Sequence, residues 1–222
     1  VRGVAFSTDG KYGVSASADE MVKVWDLEDH TEVHTLVGHT DEVQYAFFSV
    51  DGDQIFSLGD DGTLRKWSAE TGRMLAVMEL ENPIPYLAGQ LVDEDRVLAG
   101  NSEGLIDLWN VNQQSRIYTF SRLDGEVLSM DVAANENILA TGSNEGDVVL
   151  WDIESQDQVH LIQEHTDPVV SVAFTASGRE FFSVDRDGTT VVWDMASLPM
   201  PEVIQSYQAQ VGTAALNENA GL

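Results

Sequence analysis

Three clusters in this chain have residue types and spacings that could do chemistry. Gly100-Asn101-Ser102-Glu103-Gly104 has the G-x-S-x-G spacing of a serine-hydrolase elbow, in which the serine sits on a strained strand-to-helix turn beside an oxyanion hole. No helical periodicity follows it, so an ordinary turn is the better reading. Asp185-Arg186-Asp187-Gly188 and Asp51-Gly52-Asp53 alternate carboxylates in the manner of a calcium loop, but that chemistry needs a longer ligand series ending in a strong carboxylate. The five histidines are His30, His34, His39, His160 and His165. Two of them, His34 and His160, fall at the same phase of the repeat described below but three copies apart, which argues against a shared metal. The chain has no cysteine, which removes disulfides and thiolate ligands. The expectation is no catalytic residue, no cofactor and no metal site.

Charge narrows the partners. Asp and Glu number 38 against 11 Lys and Arg, a net charge of −27, with a pI near 4.1. Nucleic acids and anionic lipid surfaces bind through Lys and Arg, so this field repels both and leaves protein or peptide partners, basic ones included. The plainer account of the charge is solubility. With no signal-peptide pattern and no apolar run of membrane-spanning length, a cytoplasmic protein is expected.

Something regular must position these groups. The five tryptophans, Trp25, Trp67, Trp109, Trp151 and Trp193, stand 42 residues apart, and a period of that size means stacked copies of one supersecondary unit. Val1, Val43, Pro85, Val127, Val169 and Val211 open equivalent segments such as Val43–Ser49 and Val169–Thr175, whose period-two alternation predicts a strand. Asp9-Gly10, Asp51-Gly52 and Ser177-Gly178 turn that first strand into a second. The acidic turns Asp61-Gly62, Glu103-Gly104, Glu145-Gly146 and Asp187-Gly188 lead into a third strand carrying the Trp, and a fourth follows about ten residues on. Such short connections force antiparallel pairing. A small sheet cannot bury both faces alone, so the copies must stack; the absence of helices favours a radial β-propeller over a linear solenoid. The reading is one all-β domain, 1–222, with repeats 1–42, 43–84, 85–126, 127–168 and 169–210 as five four-stranded blades and 211–222 opening a sixth. It is an open or incomplete ring whose exposed end faces favour self-association.

Over its whole length the chain resembles the WD-repeat family of β-propellers. The marks are Gly38-His39, Phe6–Gly10, Ser15–Asp19, and Trp-Asp at 25–26, 151–152 and 193–194. The resemblance implies a network joining a His, a Ser or Thr, an Asp and the Trp. It is complete in His39, Ser57, Asp61, Trp67 and in His165, Ser183, Asp187, Trp193. The Val1 copy supplies Ser15, Asp19 and Trp25. The Pro85 copy offers Glu81, Ala99 and Glu103, and the Val127 copy Leu123, Thr141 and Glu145, so both are expected to rely on apolar packing and to be softer. The resemblance also places Arg2, Gln44, Tyr86, Leu128 and Val170, with Glu42, Ile84, Glu126 and Pro168, and Ala18, Asp60, Ser102, Asn144 and Arg186, around the channel entrance. Arg2, Gln44, Ile84, Tyr86, Leu128 and Arg186 form the candidate partner-binding rim, with Ile84, Tyr86 and Leu128 as an apolar patch.

The function expected is a non-catalytic scaffold presenting that rim to proteins or peptides. The alternative is a substrate-recruiting or regulatory propeller of a larger enzyme or signalling protein.

Overall fold

The alternating segments become nineteen strands among the residues that the computed structural model describes, 1–79, 82–133 and 137–198. The first sheet holds β1 (Gly3–Phe6), β2 (Tyr12–Ala16), β3 (Met21–Asp26) and β4 (Thr31–Val37), hydrogen-bonded in that order. The second holds β5 (Val43–Phe48), β6 (Gln54–Gly59), β7 (Thr63–Ser68) and β8 (Met74–Glu79). β9 (Tyr86–Leu91), β10 (Arg96–Asn101), β11 (Ile106–Asn110) and β12 (Ser115–Thr119) make the third; β13 (Val127–Val132), β14 (Ile138–Ser143), β15 (Val148–Asp152) and β16 (Gln158–Ile162) make the fourth. The fifth has three described strands, β17 (Val169–Phe174), β18 (Glu180–Asp185) and β19 (Thr190–Asp194). The fourth strand expected before residue 210, and the partial copy 211–222, lie outside the described residues. Val1, expected in a strand, is 82% exposed and precedes β1.

All the sheets are antiparallel meanders, and each packs on the next chiefly through its first strand: β1 on β5, β5 on β9, β9 on β13, β13 on β17. The first strands therefore surround the axis. No comparable packing joins the first sheet to the fifth among the described residues, so the propeller-type ring is not closed.

The tryptophan ladder has a packing reason. Trp67 lies in one apolar cluster with Val14, Val24 and Leu36 of the preceding sheet; Trp109 lies with Phe56, Leu58 and Leu64, Trp151 with Leu98, Leu108 and Phe120, and Trp193 against Leu150 and Phe181. Each indole thus fills the seam with the sheet before it, the kind of burial worth about 25 cal/mol per Å² of apolar surface. Trp25, whose sheet comes first, is half-buried, as is Trp193 of the fifth sheet. At four of the five tryptophans the pairing with the fourth strand shifts register just before the indole, between Val24 and Trp25, Lys66 and Trp67, Leu108 and Trp109, and Leu150 and Trp151. A bulge of this kind re-aims the side chain that follows it.

The turns have equally local causes. Gly62, Gly104, Gly146 and Gly188 close the turn between second and third strands at φ of +70 to +94°, a region costly for residues with a Cβ. The acid after the Trp closes the next turn: Asp26 Oδ1 accepts the N–H groups of Glu28 and Asp29, both at 2.9 Å, and Asp152 Oδ1 those of Glu154 and Ser155 at 2.9 and 2.8 Å. A carboxylate there mimics a backbone turn.

Candidate functional site: the rim and the networks beneath it

One repeated backbone bond holds together the turns expected to form the rim. The N–H of Asp60 donates to the carbonyl of Glu42 at 2.8 Å, Ser102 to Pro85 at 3.0 Å, Asn144 to Glu126 at 3.1 Å and Arg186 to Pro168 at 2.9 Å. Each bond holds the acidic-turn residue against the start of the sheet's innermost strand. Arg2 pairs with Glu42 across the first two sheets. Gln44 Nε2 donates to both carboxylate oxygens of Asp60 at 3.1 and 3.0 Å. Burial pushes the Asp60 carboxyl up; Gln44 pulls it back, Asp41 and Glu42 add to the rise, and Arg2 opposes them. Arg2 and Arg186 are exposed, while Gln44, Ile84 and Leu128 are half-buried. This end of the sheets is therefore acidic at the first two sheets and carries the exposed Arg186 at the fifth.

Tyr86 is not on the rim. It is fully buried in the seam between the second and third sheets, so the expected apolar patch reduces to Ile84 and Leu128. The reason lies on the neighbouring strand, at Ala99. In the other four sheets the indole N–H donates to a hydroxyl ten residues upstream: Trp25 to Ser15 at 3.0 Å, Trp67 to Ser57 at 2.8 Å, Trp151 to Thr141 at 3.0 Å and Trp193 to Ser183 at 2.8 Å. Ala99 offers none, and Tyr86 Oη takes its place, accepting from Trp109 at 3.3 Å and donating to Asp107 at 3.0 Å. Asp107, 1% exposed, also accepts from Arg116 at 3.1 Å and from Thr119 at 2.5 Å. Burial, reinforced by the Asp107 charge, drives the Tyr86 phenol far above its ordinary range, so it stays a donor. The third sheet thus has a polar network of its own rather than apolar packing alone. The exposed Glu103 takes no part; Glu81 lies outside the described residues.

In the second sheet Trp67 donates to Ser57, Ser57 Oγ meets His39 Nε2 at 2.7 Å, and His39 Nδ1 meets Asp61 at 2.9 Å. One direction satisfies the whole chain: indole to hydroxyl, hydroxyl to Nε2, Nδ1–H to carboxylate, a neutral imidazole acting as both acceptor and donor. In the fifth sheet Trp193, Ser183 and His165 repeat it at 2.8 and 2.6 Å, but the carboxylate is Asp185 at 2.8 Å and not the expected Asp187. Asp187 is exposed and binds Thr189 instead. Position 59 of the second sheet shows why. It is Gly59, where an added Cβ would sit 3.0 Å from His39 Nδ1, so the acid must arrive from Asp61; in the fifth sheet that equivalent position is itself Asp185.

Asp131 was missed. It reaches across three sheets, accepting from Gln90 Nε2 at 3.2 Å and from the N–H of Phe174 at 2.6 Å. Nothing in its local sequence marks it, because both donors come from other repeats.

The chemical motifs resolve into turns. Ser102 sits in the hairpin between β10 and β11 with no helix after it. Asp51 accepts from the backbone of Asp53 at 3.1 Å and from Ser49, as a turn residue does. Among the described residues no group of three or more His, Asp or Glu could hold a metal. In the fourth sheet Leu123 is buried beside Phe120, which packs edge-on to Trp151 at 5.7 Å.

Comparison with known proteins adds a family context. Residues 90–208 match the family model "Vps8 beta-propeller", and residues 1–26 and 30–68 match "WD domain, G-beta repeat". A WD repeat-containing protein 26 homolog of Arabidopsis thaliana is 28% identical over 114 residues, 50% of this chain and 19% of that protein. Apoptotic protease-activating factor 1 of Rattus norvegicus is 30% identical over 123 residues, 52% of this chain and 10% of that protein. Protein groucho of Drosophila melanogaster is 28% identical over 131 residues, 59% and 18% of the two chains. The chain spans less than a fifth of the length of each of these relatives.

Proposed function

Because the chain belongs to the WD-repeat family of β-propellers, we propose that it is a non-catalytic interaction scaffold that presents its channel-entrance rim to protein or peptide partners. WD-repeat domains generally act as protein-interaction scaffolds, and fold alone does not name a partner. The observation that carries the rim is its construction: side chains of differing charge, Asp41, Glu42 and Asp60 at one end and Arg186 at the other, stand on a backbone clamped at 2.8–3.1 Å in four sheets. A rigid base with exposed, electrostatically distinct groups favours selective association. The acid-rich end suits a basic segment.

Selection of a displayed peptide library on the whole chain tests this. The variants Asp60→Lys, Leu128→Asp and Arg186→Glu should each weaken selected peptides at least tenfold, whereas Asp29→Lys, on the opposite turns, should not. Selected peptides indifferent to all three rim changes would refute the rim as the binding face. A second reading is a recruiting or regulatory propeller within a larger enzyme or signalling protein. It is favoured by the small fraction of each relative that the chain spans.

A further inference from the structure

Adjacent sheets leave a wedge between the residue just before one Trp and the turn that follows the next. Between the second and third sheets that wedge is filled by Lys66. Its side chain is nearly buried, and Nζ donates to Asn112 Oδ1 at 2.8 Å, while Asn112 Nδ2 donates in turn to Asp95. Burial pulls the Lys66 ammonium down, and the charges of Asp95 and Asp51 hold it up. Between the third and fourth sheets Leu108 does the filling, in one apolar cluster with Ile153 and Val132.

Between the first and second sheets the corresponding residue is Val24, too short to cross. Glu70 stands where Asn112 does, three residues after the Trp, and Asp53 where Asp95 does, fourteen before it. What remains is a crevice of about 290 Å³, lined among others by Tyr12, Val24, Val33, Phe48, Asp53 and Glu70. His34 Nε2 contacts the Glu70 carbonyl at 2.9 Å and ties the turn in place. Among the described residues neither the Asp53 nor the Glu70 carboxylate has a hydrogen-bond or ion-pair partner. The crevice therefore keeps the acceptors of a lysine site, with two carboxylates in place of a carboxylate and an amide, and lacks the lysine.

We propose that this crevice docks a lysine side chain of a partner polypeptide, with its methylenes against Val33, Ala69 and Tyr12 and its ammonium at Asp53 and Glu70. Lysine suits the shape, since an apolar stem with a charged tip can cover apolar surface and still reach an anion. The exposed face of Tyr12 adds a cation–π partner. The net charge of −27 raises the local concentration of such segments. The site lies away from the rim and stands whether or not the rim binds anything.

The test is a titration of the whole, isotope-labelled chain with the blocked tripeptide acetyl-Gly-Lys-Gly-amide, followed by amide chemical shifts. Saturable shifts are expected at Gly52, Asp53, Ala69 and Glu70. They should weaken at least tenfold when norleucine or acetyl-lysine replaces the lysine, or when the chain carries Asp53→Asn and Glu70→Gln together. Val24→Lys, which supplies the chain's own ammonium, should abolish them; should that variant not fold, the Asp53→Asn, Glu70→Gln pair decides alone. Lys66→Val should open a second responsive site at Asp95 and Asn112. Shifts spread evenly over exposed carboxylates, lysine and norleucine within twofold of each other, or undiminished binding by the Asp53→Asn, Glu70→Gln chain would each overturn the proposal.

Discussion

The indole N–H of Trp109 donates to the phenolic oxygen of Tyr86 at 3.3 Å, across 23 residues, where each of the other four indoles reaches a hydroxyl ten residues back. The requirement that survives from sheet to sheet is a buried acceptor at the indole edge. The residue that supplies it is free to change, because an unsatisfied buried N–H costs more than the partner contributes.

Removing only the Tyr86 hydroxyl should therefore hurt. Tyr86→Phe leaves the ring in place but strips an acceptor from Trp109 and a donor from Asp107, and should lower unfolding free energy by about 1–3 kcal/mol. Adding Ala99→Ser restores the acceptor in the position the other sheets use, so the double variant should recover part of that loss in a denaturant-melt cycle. Strict additivity of the two changes would show that the introduced hydroxyl does not take over from Tyr86.

The fifth sheet separates two acids that the sequence makes look alike. Asp185→Asn weakens the bond to His165 and should cost about 1–3 kcal/mol, as breaking a buried charged network does. Asp187→Asn changes an exposed group and should stay within about 0.5 kcal/mol. Equal losses in chemical denaturation would mean that Asp187, after all, holds the imidazole.

These two cases mark where the sequence stops being legible. The period of the tryptophans, the turn glycines and the alternating segments are local, so sheet number and strand order could be read from spacing, while His39, Ser57, Asp61 and Trp67 were marked by the resemblance to the WD-repeat family. Asp-Arg-Asp at 185–187 could not be resolved, because the choice depends on whether the residue ending the second strand carries a side chain at all, as Gly59 does not. Tyr86 was misplaced on the rim because its role is set by the absence of a hydroxyl at Ala99, on a neighbouring strand. Asp131 and the pair Lys66–Asn112 join different repeats, and within-repeat spacing carries no record of such contacts.

Acid should expose the Asp61 contribution. Burial opposes its charge, but hydrogen bonds from His39, Thr63 and the N–H of Thr40 outweigh that and hold the carboxyl well below the usual carboxylate range. A group depressed in the folded state stabilises fully above its ordinary value, about 4, and loses that contribution as pH falls through it toward the folded value. Wild type should thus exceed Asp61→Asn by about 1–3 kcal/mol at pH 7, with the gap narrowing below pH 4 in parallel melts. A gap constant from pH 7 to pH 3 would assign the loss to packing.

The two end sheets lead to the last expectation. On β1, Gly3 and Ala5 face the second sheet, while Val4 and Phe6 point the other way and are 68% and 69% exposed. On the fifth sheet the cross-strand pair Phe182 and Val192 is likewise exposed. Contiguous apolar faces of this kind drive association, and burying a Val or Phe side chain contributes about 1.5–3 kcal/mol. The chain should self-associate with rising concentration in sedimentation velocity, and Val4→Ser with Phe6→Ser should raise the dissociation constant at least tenfold, because each change removes burial worth more than one factor of ten. The pair lies on a face that packs on no other sheet among the described residues, so folding should be little affected. A chain already monomeric at every concentration, with no binding of an exposed-surface dye, would mean that these faces are covered in solution.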